Sequence, residues 1–233
     1  MTQDKTTKTL KAIALIATGS LLSLVLALVL FGGAAPIPYS DPGDLVRWGT
    51  PLVKILMNLS MAITVGSLVL SAFAGNEAER ERLRPVAAWA ASLWLLSASI
   101  YFVFTYLSAS GSQISYGPEF SESLWLFATQ IELGMLLGWN LLFAFILSLS
   151  VIAFRDRRMV AVNAAIAIAG LYPLAESGHA SADAGHAIAV NSMLMHLVGI
   201  SVWVGGLVAL YSIWFKDAQK RSALVRRYST LAL

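Results

Sequence analysis

Long apolar stretches separated by short polar segments are the dominant pattern of this sequence. About 20 helical residues cross the roughly 30 Å hydrocarbon core of a bilayer. The pattern predicts six complete spans, at about residues 10–31, 47–74, 86–107, 124–153, 159–175 and 187–215. A shorter apolar run begins at Tyr228 and reaches Leu233. We interpret it as the start of a seventh span, and the chain as one domain, 1–233, incomplete at its C-terminus.

Composition agrees with a membrane protein and sets the fold class. Charged residues make up 12% of the chain, about half the share of a soluble domain, and the mean hydropathy is +0.72. The prediction is an all-α, polytopic transmembrane helix bundle. The first apolar run has a rival interpretation as a cleaved signal peptide, because small residues follow it. It exceeds the 7–15 residues of a signal core, so we expect a retained helix.

Basic residues predict the orientation of the bundle. Of the sixteen Lys and Arg residues, fourteen lie in the N-terminal tail, in 80–84, in 155–158 and in 216–227, which are alternate connections. Arg47 and Lys54 belong to the other side. Because cytoplasmic loops carry the excess of basic residues, the N-terminus is predicted to be cytoplasmic. The loops 32–46, 108–123 and 176–186 then face outward in a multi-pass membrane protein.

All three histidines of the chain lie close together at the predicted outer edge. His179 and His186 belong to the outward loop, and His196 lies two to three turns into the sixth span. Imidazole suits copper and zinc, and methionine thioether suits Cu(I). Met193 shares a helical face with His196, and Met195 adjoins it. A histidine and methionine copper site is one interpretation. The other is that two histidines are solvated and His196 donates a hydrogen bond between helices.

The face of the sixth span that carries His196 predicts an inward orientation. Helical spacing places polar, small and aromatic residues on it, which is typical of a packed transmembrane face. We call this set the His196 face. Its members are Ser192, Met193, His196, Gly199 and Trp203, with Gly206 at the same spacing further along.

Other polar groups inside the predicted spans are candidates for a copper pathway. Met57 and Met61 are i,i+4 neighbours and could act as a thioether pair, although methionine is also common filler in apolar cores. Lys54 lies near the outer boundary, where its amine can snorkel. Glu132 is predicted roughly 12 Å inside the fourth span, as a ligand, a proton acceptor, a partner for Lys54 or a protonated acid.

Several other chemistries are disfavoured by the sequence. Without cysteine, the chain has no disulfide, thiolate metal site or cysteine nucleophile. The basic residues form short juxtamembrane clusters, which does not indicate nucleic-acid binding. Neither a phosphate-binding loop nor a nucleophile elbow occurs, so we expect no enzyme. A haem or quinone protein is a less favoured alternative.

The chain resembles the copper-resistance D (CopD) family of bacterial inner-membrane proteins. The resemblance lies in Gly178-His179-Ala, in His186, and in His196-Leu-Val-Gly-Ile-Ser-Val-Trp203-Val-Gly-Gly206-Leu. It covers about 176–233, while the earlier spans match in hydropathy and order. In many actinobacteria a CopD-like half is fused to a CtaG-like half, which is linked to copper insertion into haem–copper oxidases. The chain is similar to the front of such a fusion.

The resemblance implies copper transport or delivery at the cytoplasmic membrane. It makes His179, His186 and His196 the candidate ligands of a copper ion, Cu(I) or Cu(II), and Trp203, Gly205 and Gly206 packing residues. The alternative is a non-transporting scaffold for cytochrome oxidase assembly. Its histidines would dock an extracytoplasmic copper chaperone, and a CtaG-like domain or a haem–copper oxidase would be a further partner beside the lipid bilayer.

Overall fold

Helices make up nearly all of the described chain. The computed structural model describes residues 18–36, 38–73, 76–177, 186–213 and 218–232, and this part contains no strand. A π-helical segment, Ser201–Gly205, follows α8 directly. The α-helices are α1 (Thr18–Leu30), α2 (Asp44–Phe73), α3 (Glu77–Ser110), α4 (Pro118–Gln130), α5 (Glu132–Ala153), α6 (Arg157–Ala169), α7 (Tyr172–Glu176), α8 (His186–Ile200), α9 (Gly206–Ser212) and α10 (Ala218–Ala232).

Five stretches of the described chain are long and apolar enough to cross a membrane. They are Asp44–Phe73, Glu77–Ser110, Glu132–Ala153, Arg157–Glu176 and Ala187–Ser212. The prediction of an all-α membrane protein is therefore confirmed, and these five correspond to the predicted second to sixth spans. Of the predicted first span, the structure describes a shorter apolar helix, α1, and residues 10–17 lie outside the described part.

The segment 76–85, predicted as a loop, forms the first turns of α3 instead. Asn76 and Glu79 make a reciprocal capping box: each backbone N–H donates to the other residue's side-chain oxygen at 3.0 Å. The alternating charges then support the helix, with Arg84 Nε 3.5 Å from the Glu81 carboxylate. The prediction was wrong here because charge patterning along a helix resembles that of a solvated loop.

The predicted fourth span is divided into two helices. Ile131 adopts an extended conformation, with φ −98° and ψ 125°, between α4 and α5. Glu132 is consequently the first residue of α5, and its prediction as a group roughly 12 Å inside the span is wrong. The two helices approach closely beyond the break. A Cβ atom on Gly134 would lie 1.9 Å from the carbonyl oxygen of Phe127, so only glycine fits there.

The chain forms two compact units, and the smaller comprises Met1–Gly49 with Leu107–Gln113. Arg47 organises this unit: its Nε donates to the Ala34 carbonyl at 3.0 Å, and its guanidinium pairs with Asp41 and Asp44. The Asp41 carboxylate accepts hydrogen bonds from Arg47 and from the Gly43 amide. Both bonds, and the one from Arg47 more strongly, hold the pKa of Asp41 below its ordinary value. Two carboxylates thus compensate the charge of Arg47, which explains why this basic residue can lie on the side of the bundle that has few basic residues.

The larger unit, Thr50–Tyr106 with Ile114–Leu233, contains the main core. Trp94 of α3 is fully buried at its centre, and a Cβ on Gly170 would lie 2.8 Å from the indole ring. Side chains of α2, α3, α5 and α6 surround it, and the inner side of α8 packs against them. A second cluster joins α2, α3, α9 and α10 through Leu70, Leu83, Leu210, Leu224 and Tyr228, among others.

Candidate functional site

The histidines predicted as copper ligands are only partly within the described chain. His179 lies outside the described residues. His186 is the first residue of α8, and His196 lies in the same helix, ten residues further along. Among the residues that the structure describes, no group of three histidine or carboxylate side chains is close enough to hold a metal ion. The predicted ligand set therefore remains a prediction.

The His196 face is exposed, so the expectation that it packs inward is wrong for the described chain. His196, Ser192 and Gly199 are all exposed. The exposed fraction is 43% for Met193 and 57% for Trp203, and it rises to 74% for Met195. The opposite side of the helix packs instead, through the apolar residues Leu194, Leu197, Val198 and Val202. This helix thus contributes aliphatic side chains to the core, and its histidine, methionine and serine side chains on the His196 face point away from it.

The helix of His196 approaches α2 closely where Gly205 and Gly206 meet Gly66 of α2. A Cβ atom on Gly205 would lie 1.8 Å from the carbonyl oxygen of Ala62, and one on Gly66 would lie 2.1 Å from the Gly206 amide nitrogen. Backbones approach this closely only where side chains are absent. The π-helical segment Ser201–Gly205 lies directly beside this crossing. Such segments occur frequently at functional sites.

Trp203 and Tyr228 connect the π-helical segment to α10. The Tyr228 hydroxyl donates a hydrogen bond to the Trp203 carbonyl oxygen. The ring of Tyr228 packs on the backbone of Gly206, where an added Cβ would lie 2.4 Å from the ring. The indole of Trp203 is exposed, so this residue contributes its main chain to the contact. The motif Val-Trp-Val-Gly-Gly is therefore packed mainly through its backbone and its glycines.

A row of polar and sulfur-bearing side chains follows the buried side of α2. We call it the α2 polar line. Its members recur every three or four residues, apart from the adjacent pair Ser60 and Met61. All are at most 5% exposed, and they are Met57, Ser60, Met61, Thr64, Ser67 and Ser71. At about 1.5 Å per residue the line extends for roughly 21 Å, most of the thickness of a bilayer core. Only the two methionines were predicted from the sequence, although the spacing of the hydroxyls is visible there.

Hydrogen bonding along the α2 polar line is satisfied unevenly. Ser60 Oγ donates to the Met57 carbonyl at 2.9 Å, and Thr64 Oγ1 donates to the Ser60 carbonyl at 2.8 Å. Ser67 Oγ is buried without a hydrogen-bond partner within the described chain. A hydroxyl oxygen that donates to its own helix keeps its lone pairs. The line therefore presents electron-pair donors to whatever approaches it.

The amide of Asn140 joins the α2 polar line to the core. Its oxygen accepts from the Trp94 indole N–H at 3.1 Å, and its nitrogen donates to the Gly170 carbonyl at 3.0 Å. The same nitrogen lies 4.0 Å from the Met61 sulfur. Asn163, also buried, accepts from Ser150 Oγ at 2.7 Å. Both asparagines therefore make hydrogen bonds between helices, whereas Asn191 is exposed.

Lys54 and Glu132 do not form an ion pair. Both side chains are exposed, and among the described ion pairs none joins them within 4.0 Å. The Lys54 amine lies 5.7 Å from the centre of the Tyr101 ring, which is cation–π geometry. Lys54 is near the N-terminal end of α2 and Glu132 begins α5. The role of Glu132 as a ligand or a proton acceptor, and the snorkelling of Lys54, remain predictions.

One family comparison gives a match. The family model described as copper resistance protein D-like, N-terminal domain, matches residues 40–190, more than half of the chain. The match includes His179 and His186 and ends before His196, so it complements the sequence motif at 196–206. Searches of curated proteins and of solved structures found no match. The chain therefore belongs to the copper resistance protein D-like family, and as a multi-pass membrane protein of that family it has a function related to copper.

Proposed function

We propose that this protein carries copper ions across the bacterial cytoplasmic membrane, as substrate, or delivers them within it. The observation that carries the proposal is the α2 polar line. A transporter needs a continuous series of groups that can stabilise a cation in the low dielectric of the bilayer. Six such side chains follow one another along α2, on its buried side, from Met57 to Ser71.

The chemistry of the line fits a soft monovalent cation better than a hard divalent one. Met57 and Met61 supply thioethers, which select Cu(I) over magnesium or calcium. The Ser60 and Thr64 hydroxyls direct their protons to backbone carbonyls, so their oxygens are the outward ends of the dipoles. These groups are packed together with their neighbours, and passage of an ion requires α2 to separate from α5. That separation would break the contact between the Met61 sulfur and the Asn140 amide, which are 4.0 Å apart.

Entry to the line is proposed from the end of the bundle that carries the histidines. His179, His186 and His196 precede or belong to α8, and the positive-inside rule predicts that this end faces the outside of the cell. Imidazoles there would capture copper and pass it toward Met57. Met193 and Met195, exposed near His196, would extend this capture surface with thioethers. Lys54 near the same end disfavours accumulation of several cations at once.

The test compares two double variants of the full chain in copper uptake by proteoliposomes. Met61→Leu with Thr64→Val removes a thioether and a hydroxyl from the line at nearly constant volume. Met135→Leu with Thr129→Val makes the same changes where Met135 is exposed and Thr129 makes the same bond to its own helix, at 2.8 Å. We expect Cu(I) uptake to fall at least ten-fold in the first and to stay within two-fold in the second. Equal uptake in both would refute transport along the line.

The exposed His196 face favours a second candidate, a docking module that does not transport. A face with histidine, methionine and tryptophan side chains turned away from the core is suited to contact with a protein partner. In that case His179→Ala/His186→Ala/His196→Ala would abolish binding of the extracytoplasmic copper chaperone, while the changes in the α2 polar line would leave cellular copper unaltered. Oxidase activity in cells would then report the defect.

A further inference from the structure

A pocket lined by arginines lies at the end of the larger unit where α2 ends and α3 begins. The end of α5 and the turn to α6 complete its wall. The charged residues that line it are Arg80, Arg84, Arg155 and Glu81. Three guanidinium groups against one carboxylate make the pocket electropositive. It lies at the end that carries the basic turn Arg155–Arg158.

Arg84 is incompletely neutralised by its one carboxylate neighbour. Glu81 lies 3.5 Å from Arg84 Nε, but the contact lacks hydrogen-bond geometry. Arg84 Nε is buried and has no acceptor within the described part of the chain. A buried charged donor without an acceptor is unfavourable. An anion that enters the pocket and accepts from this guanidinium would remove the penalty.

The remaining walls combine neutral donors with apolar surface. Ser71 and Asn163, both at most 5% exposed, line the pocket with side chains able to donate. The Asn163 oxygen already accepts from Ser150 Oγ, which leaves its NH₂ group as the free half of the amide. Leu68 and Val151 provide the apolar part. Arginine with neutral donors is the combination that recognises phosphate oxygens in two-point contacts.

We propose that this pocket binds a phosphate group, and that an anionic phospholipid supplies it. Phospholipid phosphates lie at the depth where transmembrane helices end and basic residues begin. Leu68 and Val151 beside the arginines would offer apolar contacts to the first carbons of such a lipid. Soluble phosphate has the same oxygen chemistry and lacks that apolar part. The pocket meets the α2 polar line at Ser71, the last residue of that line, but phosphate binding does not depend on copper transport.

Arg157 and Arg158 give a matched control for general charge attraction. They follow Arg155 in the same turn, are exposed, and do not line the pocket. The variant Arg84→Gln/Arg155→Gln removes two charges from the pocket, and Arg157→Gln/Arg158→Gln removes two charges beside it. Attraction of the basic turn to an anionic surface depends on both pairs alike. A phosphate site depends on the first pair only.

The experiment measures lipid retained by the purified full chain in detergent, by native mass spectrometry. The probes are phosphatidylglycerol, phosphatidylcholine and inorganic phosphate. We expect about one phosphatidylglycerol per chain in the wild type, at least ten-fold weaker retention in the pocket variant, and a change below two-fold in the control. Retention unchanged in the pocket variant, or weakened equally in both variants, would overturn the proposal.

The inorganic phosphate arm distinguishes the two sources of the same ligand chemistry. If the lipid is the ligand, millimolar phosphate leaves bound phosphatidylglycerol in place, because the apolar contacts are not replaced. If phosphate itself binds to the wild type and not to the pocket variant, and no lipid is retained, the pocket is a phosphate site supplied from solution and the lipid assignment is wrong. Preference for phosphatidylglycerol over phosphatidylcholine confirms that net negative charge is recognised.

Discussion

Gly66 of α2 and Gly206 of α9 pack backbone against backbone, so that a Cβ atom on Gly66 would lie 2.1 Å from the Gly206 amide nitrogen. We predict that Gly66→Ala destabilises the protein by about 1–3 kcal/mol or more, because neither backbone can move aside as a side chain does. The measurement is the thermal unfolding midpoint in detergent.

Gly138 of α5 supplies the control for that substitution. A Cβ added there meets nothing within 4 Å among the described atoms. Gly138→Ala is therefore expected to leave the midpoint unchanged or to raise it slightly, because alanine is the better helix former. Equal loss of stability in both variants would show that the Gly66 contact does not limit the packing of these helices.

The Asn140 amide is predicted to be the most sensitive polar position of the core. Asn140→Leu keeps the volume but leaves the Trp94 indole N–H and the Gly170 carbonyl without this partner. We expect a loss of about 1–3 kcal/mol in unfolding free energy. Asn191→Leu, at an exposed position, should cost far less. Combining Asn140→Leu with Trp94→Phe should cost less than the sum of the single changes, since both remove the same bond. Strict additivity would contradict this assignment.

Glu79 connects the start of α3 to α10. Its side chain is 7% exposed and its carboxylate lies 3.4 Å from the Arg227 guanidinium, which is itself half-exposed. Arg227→Gln should weaken this connection by up to about 1 kcal/mol and speed hydrogen exchange of α10 amides roughly five-fold. Arg226→Gln removes the same charge one residue earlier and is expected to change exchange little. Equal exchange in the two variants would argue that Glu79 does not anchor α10.

Asp41 should make the smaller unit sensitive to acid. Its folded pKa lies below its ordinary value because Arg47 and the Gly43 amide donate to the carboxylate. The stabilisation is therefore complete above the unfolded pKa, about 3.9, and is lost as the pH falls through the lower folded value. The difference in unfolding midpoint between wild type and Asp41→Asn should shrink between about pH 5 and pH 3. Glu122→Gln, which removes a carboxylate at an exposed site, is the control. A constant difference for Asp41→Asn would disprove the linkage.

Hydropathy was sufficient to predict where the apolar helices lie, but it could not give their ends. The capping box of Asn76 and Glu79 is readable in the sequence, yet the surrounding charges outweighed it in the prediction. The break at Ile131 has no such local signal, since neither proline nor a polar cluster marks it. It coincides with the close approach of Gly134 to the Phe127 carbonyl, a tertiary contact that no local pattern contains.

Periodicity identified which residues share a face with His196 but not the direction in which that face points. In a soluble helix the polar face is the outer one, whereas in a membrane both faces are largely apolar and small residues mark packing. Here Leu194, Leu197 and Val198 fill the core, and His196 is left outside. Gly205 and Gly206 follow the small-residue rule, and they are on the packed side.

The π-helical segment Ser201–Gly205 sets the angle, around the helix axis, between the exposed His196 and the packed Gly205 and Gly206. In an α-helix, one residue more or less turns the remainder by about 100° around the axis. A π-helical turn, such as Ser201–Gly205, contains one residue more than an α-helical turn of the same helix. Shortening this segment by one residue would therefore keep every candidate ligand and every glycine, and would still swing His196 to a different neighbour. The direction in which His196 points around the helix axis is thus set by a π-helical turn that contains no copper-binding group.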